Sequence, residues 1–159
     1  MTGVPVLRRA AQGRTIAVVG DVYNFLATGE ETAGKYAIWE AIVPPDGGPP
    51  PHVHSREEEG FYILEGEITF QIGDATHVAT AGMFANMPVG VQHSFRNASD
   101  KTAKMLISVA PAGIEQMFFE VGVPLPDGAT TALPPTKAEI EKLLEVAPQY
   151  GIEIKVPKH

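Results

Sequence analysis

Between residues 14 and 110 apolar side chains recur at every second position or in short β-branched runs, broken every few residues by Gly, Pro, Asn or Asp. That is the period of a strand, in which successive side chains face opposite ways. The pattern predicts nine short strands, at 15–19, 35–43, 51–55, 60–64, 67–72, 76–79, 83–87, 93–97 and 103–109. Many short strands with regularly spaced turns fit a closed barrel or a jelly roll, since both limit exposed sheet edges. Gly73-Asp74 reads as a tight hairpin turn, and the run from Pro44 to Pro51 as a stiff loop that delivers the chain to His52. Beyond Pro111 the period changes. Residues 114–121 carry helix formers and aromatics, including Met117, Phe118 and Phe119, and a proline-rich connector spans 124–135. Thr136-Lys137-Ala138-Glu139 reads as a capping box that opens a helix, with Ile140, Leu143, Leu144 and Ala147 on one apolar face and Pro148 as its stop. The predicted organisation is a short arm at 1–13, an all-β barrel at 14–111 and a helical extension at 112–159 that packs on the barrel or on a second subunit. Val18-Val19-Gly20-Asp21 resembles the start of a nucleotide-binding loop, but it has one glycine and no helix signal after it, so no such site is expected.

Composition narrows the chemistry. A chain of 159 residues, 44% apolar, is long enough to bury a core as a single soluble globular domain. A net charge of −7 and no basic run longer than Arg8-Arg9 argue against nucleic acid and anionic membranes as partners. Without cysteine there is no disulfide framework and no thiolate ligand or nucleophile, so a metal would take nitrogen and oxygen donors. No segment reads as a leader or a membrane span, and the expected location is the cytoplasm. Asn97-Ala98-Ser99 matches a glycosylation sequon that carries no meaning there.

The most informative local text is Pro51-His52-Val53-His54-Ser55-Arg56-Glu57-Glu58-Glu59. On a strand, His52 and His54 aim both imidazoles at one point while Val53 faces away. In the next strand Glu59 shares a face with Phe61 and Ile63, so a core-facing strand also turns Glu59 inward. His93 is a possible fourth ligand. Glu57 and Glu58 read as a solvated charge run, and His77 and His159 as exposed histidines without a partner at ligand spacing.

These residues resemble the two motifs of the cupin superfamily, roughly Gly-x5-His-x-His-x3–4-Glu-x6-Gly and Gly-x5-Pro-x-Gly-x2-His-x3-Asn. His52, His54, Glu59 and Gly66 fit the first, with Gly47 one residue too close to His52; Gly82, Pro88, Gly90, His93 and Asn97 fit the second at every spacing. Within the superfamily, the single domain with a proline-rich connector, a helix and the ending Tyr150-Gly151-Ile152-Glu153-Ile154 resembles small bacterial quercetin dioxygenase-like proteins. The resemblance implies a cupin barrel with short C-terminal helices, in which His52, His54, Glu59 and His93 bind one divalent metal: Fe, Mn, Ni, Co, Cu or Zn. Gly82, Pro88, Gly90 and Asn97 are then turn and packing residues.

Three neutral imidazoles and one carboxylate leave a divalent ion with net positive charge and open positions, and such an ion acts as a Lewis acid. Glu59, the only carboxylate of the set, can serve as ligand or as a base for a substrate proton. Phe61, Ile63, Phe95 and Tyr36 are the expected substrate contacts, Ile38 and Trp39 belong to the same candidate wall as Tyr36, and Met117-Phe118-Phe119 is a candidate cap over the barrel mouth or a dimer contact. The expected protein is a homodimer acting on a small molecule with dioxygen, as a quercetin 2,3-dioxygenase-like oxidoreductase. A redox-neutral isomerase or lyase acting on a small keto or enol compound is the alternative, as is a binding module that turns nothing over.

Overall fold

Two antiparallel sheets share one apolar core in the computed structural model, which describes residues 2–155. In chain order the strands are β1 (Thr15–Val18), β2 (Asp21–Ala27), β3 (Ala37–Val43), β4 (His52–His54), β5 (Glu58–Glu65), β6 (Glu67–Ile72), β7 (Ala75–Thr80), β8 (Phe84–Met87), β9 (His93–Arg96), β10 (Ala103–Ala110), β11 (Val123–Leu125) and β12 (Ile152–Ile154). The helices are α1 (Gly29–Thr32), α2 (Ile114–Val121) and α3 (Lys137–Val146). One sheet runs β11-β1-β2-β3-β10-β5-β8 and the other β12-β4-β9-β6-β7. All nine predicted strands are present, each within two residues of its expected ends. Alternation carries the core: Ala103, Met105, Ile107 and Val109 of β10 point inward, as do Phe61 and Ile63 of β5 and Ile68 and Phe70 of β6.

Three strands lie outside the sequence expectation. β2 pairs with β1 through a two-residue loop, Val19-Gly20, both at positive φ (48° and 91°), as a type I′ hairpin turn requires. The four residues that resemble a nucleotide loop are therefore a hairpin corner. β11 adds to the edge of one sheet against β1, and β12 adds to the edge of the other against β4, with Ile152 opposite His54 and Ile154 opposite His52. The C-terminal extension thus contributes a strand to each sheet.

One end of the core is aromatic. Tyr23 and Phe25 of β2, two residues apart on one face, meet Trp39 of β3 with ring centroids 5.6 and 5.4 Å away. From α2, Phe118 reaches Trp39 at 5.4 Å and Phe119 reaches Phe25 at 4.7 Å, and the Arg14 guanidinium lies 3.7 Å above the Phe119 ring. Buried Glu115 fastens this helix by accepting the Gly113 and Gly29 backbone N–H groups, each at 2.6 Å. The capping box of α3 is formed as expected, Thr136 Oγ1 accepting the Glu139 N–H at 3.2 Å. Of its expected apolar face, Ala147 is buried and Leu143 packs on the core, whereas Ile140 stays 40% exposed; Val146 is buried in addition. No described helix is long and apolar enough to cross a membrane.

The loop from Pro44 to Pro51 is held flat against β9. Asn97, the last residue of the second motif, accepts the Asp46 N–H on its carbonyl at 2.8 Å and donates its own N–H to Gly47 at 2.9 Å. Its side chain donates to the Val43 and Lys101 carbonyls at 2.9 and 2.7 Å. Gly48 sits at φ 127°, and a Cβ there would come within 2.0 Å of the Phe95 carbonyl oxygen, so only glycine allows the approach that starts β4 in register. For the aromatic end, Phe25→Ala should lower unfolding free energy by about 3–5 kcal/mol. Urea melts of the two proteins check this, and a loss under about 1 kcal/mol would mean that the cluster relaxes into the gap.

Candidate metal centre

His52 and His54 lie on the inward face of β4, with half-buried Val53 turned away, and His93 of β9 is the direct cross-strand partner of His52. Glu59 arrives from the other sheet, on the face of β5 that also carries Phe61 and Ile63. All four are buried, and their donor atoms lie within 4.8 Å of one another. Glu59 Oε1 is 2.9 Å from His93 Nε2 and 3.3 Å from His54 Nε2. The expected ligand set is brought to one point from three strands and both sheets.

Each imidazole is held from behind. His52 Nδ1 donates to the Pro50 carbonyl and His93 Nδ1 to the Val91 carbonyl, both at 2.9 Å, while His54 Nδ1 meets Glu57 Oε2 at 3.3 Å. In a neutral ring a proton fixed on Nδ1 makes Nε2 the free donor nitrogen, and here Nε2 of each faces the cluster, the arrangement that orients histidine toward a metal. The expectation that Glu57 is solvated is thereby corrected. It is only 4% exposed, because the chain turns between β4 and β5 and folds its side chain back on His54. Glu58 does face outward, where it accepts from Asn86 at 3.0 Å.

The electrostatics follow from burial and from these contacts. Burial pushes His52 down to about 4, against the opposing pull of Glu59. Burial alone would depress His54 too, but hydrogen bonding to Glu57 and the nearby Glu59 carboxylate outweigh it and carry His54 up to about 9. Glu59 is likewise buried, yet His54 and His93 hold it well below the ordinary carboxylate range. His54 Nε2 is nonetheless fully buried without a properly aligned hydrogen-bond partner, since the 3.3 Å approach of Glu59 does not make one. A buried orphan nitrogen beside two further imidazoles and an anionic oxygen fits a borderline divalent cation with an N3O donor set.

A cavity opens beside the cluster. His52, His54, Glu59 and Phe95 line it, along with Met117 and Phe118 of α2, so the region expected to cap the barrel mouth does border the site. Its room is about 70 Å³, on a scale where one water takes roughly 10–15 Å³. Phe61 and Ile63 are buried beneath it in the core, the Phe61 ring 6.1 Å from that of His93, and neither borders the cavity. Tyr36 is 45% exposed outside it, preceding β3 rather than lining a wall, and Trp39 belongs to the aromatic end. His77 is exposed on β7, and His159 lies outside the described residues.

Two wall residues were not foreseen. Asp21 and Tyr23, on the same face of β2, both border the cavity. Burial pushes the Asp21 carboxyl up to about 8, only partly relieved by the Gly48 N–H, and Tyr23 is raised by burial and then by the charges of Asp21 and Glu59. Recognising Val19-Gly20 as a hairpin turn would have exposed β2 and, by parity, both side chains.

Residues 39–109 match the cupin domain family. The chain belongs to this family. It is 26% identical over 141 residues to the quercetin 2,3-dioxygenase of Aspergillus japonicus, a match covering 84% of the chain but only 40% of that enzyme. Protein SchB of Streptomyces halstedii is 30% identical over 94 residues, 58% of this chain and 67% of that protein. Among solved structures, a predicted oxalate decarboxylase from Thermotoga maritima superposes with a TM-score of 0.61 at 21% identity, covering 66% of this chain and 98% of that one. The expected cupin fold is thus the observed one.

For this cupin, His93→Ala should lose most bound zinc while keeping its far-ultraviolet spectrum, and Glu57→Ala, which only frees the His54 ring, should weaken zinc by roughly 10–100-fold. Metal-competition titration reads both, and unchanged affinity in either variant would remove that residue from the site. Asp21 gives a pH signature. It holds its proton to about pH 8 when folded, whereas an unfolded aspartate loses it near its ordinary value of 3.8, so the folded state binds more protons in between and loses stability as pH rises through that window. Asp21→Asn should therefore melt close to wild type at pH 4 and above it at pH 8. An equal difference at the two pH values would show that Asp21 is already ionised when folded.

Proposed function

We propose that this cupin is a metal-dependent dioxygenase that opens the ring of a flavonol or a related aromatic enediol. The observation that carries the reading is the buried three-histidine, one-glutamate cluster at the wall of an apolar, aromatic-bordered cavity. Likeness to a fungal quercetin 2,3-dioxygenase supports it, although the chain spans about two fifths of that enzyme. A divalent ion held by His52, His54, Glu59 and His93 would supply a Lewis acid with open positions for an enolic oxygen and for dioxygen.

The remaining chemistry belongs to the side chains. Glu59, kept anionic, is the carboxylate that could take the proton of the enolic hydroxyl, on an oxygen that does not hold the ion. His52 and His93 cannot rotate to compete, because Nδ1 of each is bonded to a backbone carbonyl. Phe95, Met117 and Phe118 keep water from the ionised substrate. No lysine or arginine among the described residues lines the cavity, which disfavours phosphorylated substrates.

The narrowness of the cavity favours a second reading. Room for a few waters suits a single-ring keto or enol compound without rearrangement, whereas a three-ring flavonol requires α2 or the 44–51 loop to shift. A redox-neutral isomerase or lyase needs no oxygen.

Oxygen electrode traces and carbon monoxide detection on protein loaded separately with iron, manganese, nickel, cobalt, copper or zinc, offered a small flavonol panel, decide between the two. Oxygen uptake matched by carbon monoxide, and lost in Glu59→Gln, is the expected result. No uptake with any well-loaded metal would transfer the assignment to redox-neutral chemistry, or to binding alone if nothing is turned over.

A further inference from the structure

We propose that Asp21, with Tyr23 beside it, selects and orients the ligand by donating a hydrogen bond from its carboxyl group to a ligand oxygen other than the one that faces the histidines. The inference deepens the reading above and rests on it only for the ligand class, an aromatic or enolic compound carrying more than one oxygen function.

Four observations converge on Asp21. Asp21 is 3% exposed and borders the same cavity as His52, His54 and Glu59, but it comes from β2, three strands away from Glu59 in its sheet. Its Oδ1 is buried with no hydrogen-bond partner. Among the described residues no Lys or Arg borders the cavity to neutralise it and the Gly48 N–H relieves it only in part, so the rest of the compensation a buried carboxyl needs has to come from a proton and from whatever enters. Burial accordingly pushes this group up to about 8, and a protonated carboxyl is a donor, able to bind a hydroxyl, carbonyl or phenolate oxygen.

The surrounding chain is shaped around that carboxyl. Val19, two residues earlier, is held at φ 48°, a left-handed conformation unfavourable for a β-branched residue, so the corner that aims β2 is kept at a conformational cost. Gly47 leaves the space on the other side, since a Cβ there would lie 2.6 Å from Asp21 Oδ1. An apolar residue at position 21 would satisfy a wholly structural role without burying an unpartnered oxygen. Tyr23 extends the same polar strip, its ring fixed edge-on against Phe118 at 5.2 Å, so that its hydroxyl group is carried on a rigid support. A metal-facing oxygen at one end and this strip at another give the cavity two polar grips on an otherwise apolar ligand.

The test compares two probes on zinc-loaded protein, where redox-inert zinc allows binding without turnover. Both 3-hydroxyflavone and quercetin carry the enolic pair that a metal site grips, and only quercetin adds further hydroxyl groups. By absorbance titration, Asp21→Leu should weaken quercetin roughly fivefold or more and 3-hydroxyflavone by less than about twofold. Asp21→Asn, which keeps a donor, should recover most of the loss. Tyr23→Phe, which removes an oxygen while preserving the ring, should show the same selective loss and keeps the test decisive if the leucine variant does not fold. Equal weakening of both probes, no weakening of either, or no binding of either probe to the wild-type protein overturns the proposal. Tight, Asp21-dependent binding of quercetin with no cleavage under any metal would overturn the dioxygenase reading and leave this one standing.

Discussion

Burying three imidazoles and a carboxylate in an apolar barrel is costly, and the local structure around residues 50–59 and 91–93 is organised to offset that cost. Each ring has one nitrogen committed to a fixed acceptor behind it, two of them backbone carbonyls that no substitution can remove. The negative charge of Glu59 is then placed between the Nε2 atoms of His54 and His93, and these two rings hold its carboxyl well below the ordinary range. Take away any of these supports and the cluster contains an uncompensated charge or an unpaired donor, which is far more damaging inside the barrel than at the surface. The proline loop and Asn97 serve the same end at one remove, because they decide where β4 begins.

Register is the second constraint. Two ligands two residues apart on β4 face inward only in one pairing, and a slip by one residue would turn both outward and bring Val53 in their place. β4 is only three residues long and pairs with β9 through a single residue couple, His52 with His93. Its other edge is held by β12 over three couples. The strand that carries half of the candidate ligands thus takes most of its backbone alignment from the C-terminal strand.

Much of this was legible in the sequence, for identifiable reasons. The alternation of β10 and the aromatic and branched run of β5 announce these strands, and the spacing of His52, His54, Glu59 and His93 carries its chemistry on its face. What escaped was text whose meaning is set by distant partners. β2 contains Asp21 and Asn24, polar residues that look wrong for a buried strand until β3 and α2 cover them, and β11 and β12 are three-residue edges with no period of their own. Glu57 looked like its neighbour Glu58 because a run of like charges says nothing about which member the next turn folds inward. Tyr36 is in phase with Ile38 and Glu40 on the outward face of β3, whereas Ala37, Trp39 and Ala41 form the buried face.

The pairing of β12 with β4 bears on how the protein comes into being. A ribosome releases His52 and His54 long before it releases the strand that braces them, and non-local pairings of this kind form late in folding. The inward alignment of the histidine pair is therefore completed only after the chain has run on through a further hundred or so residues and brought β12 back beside β4.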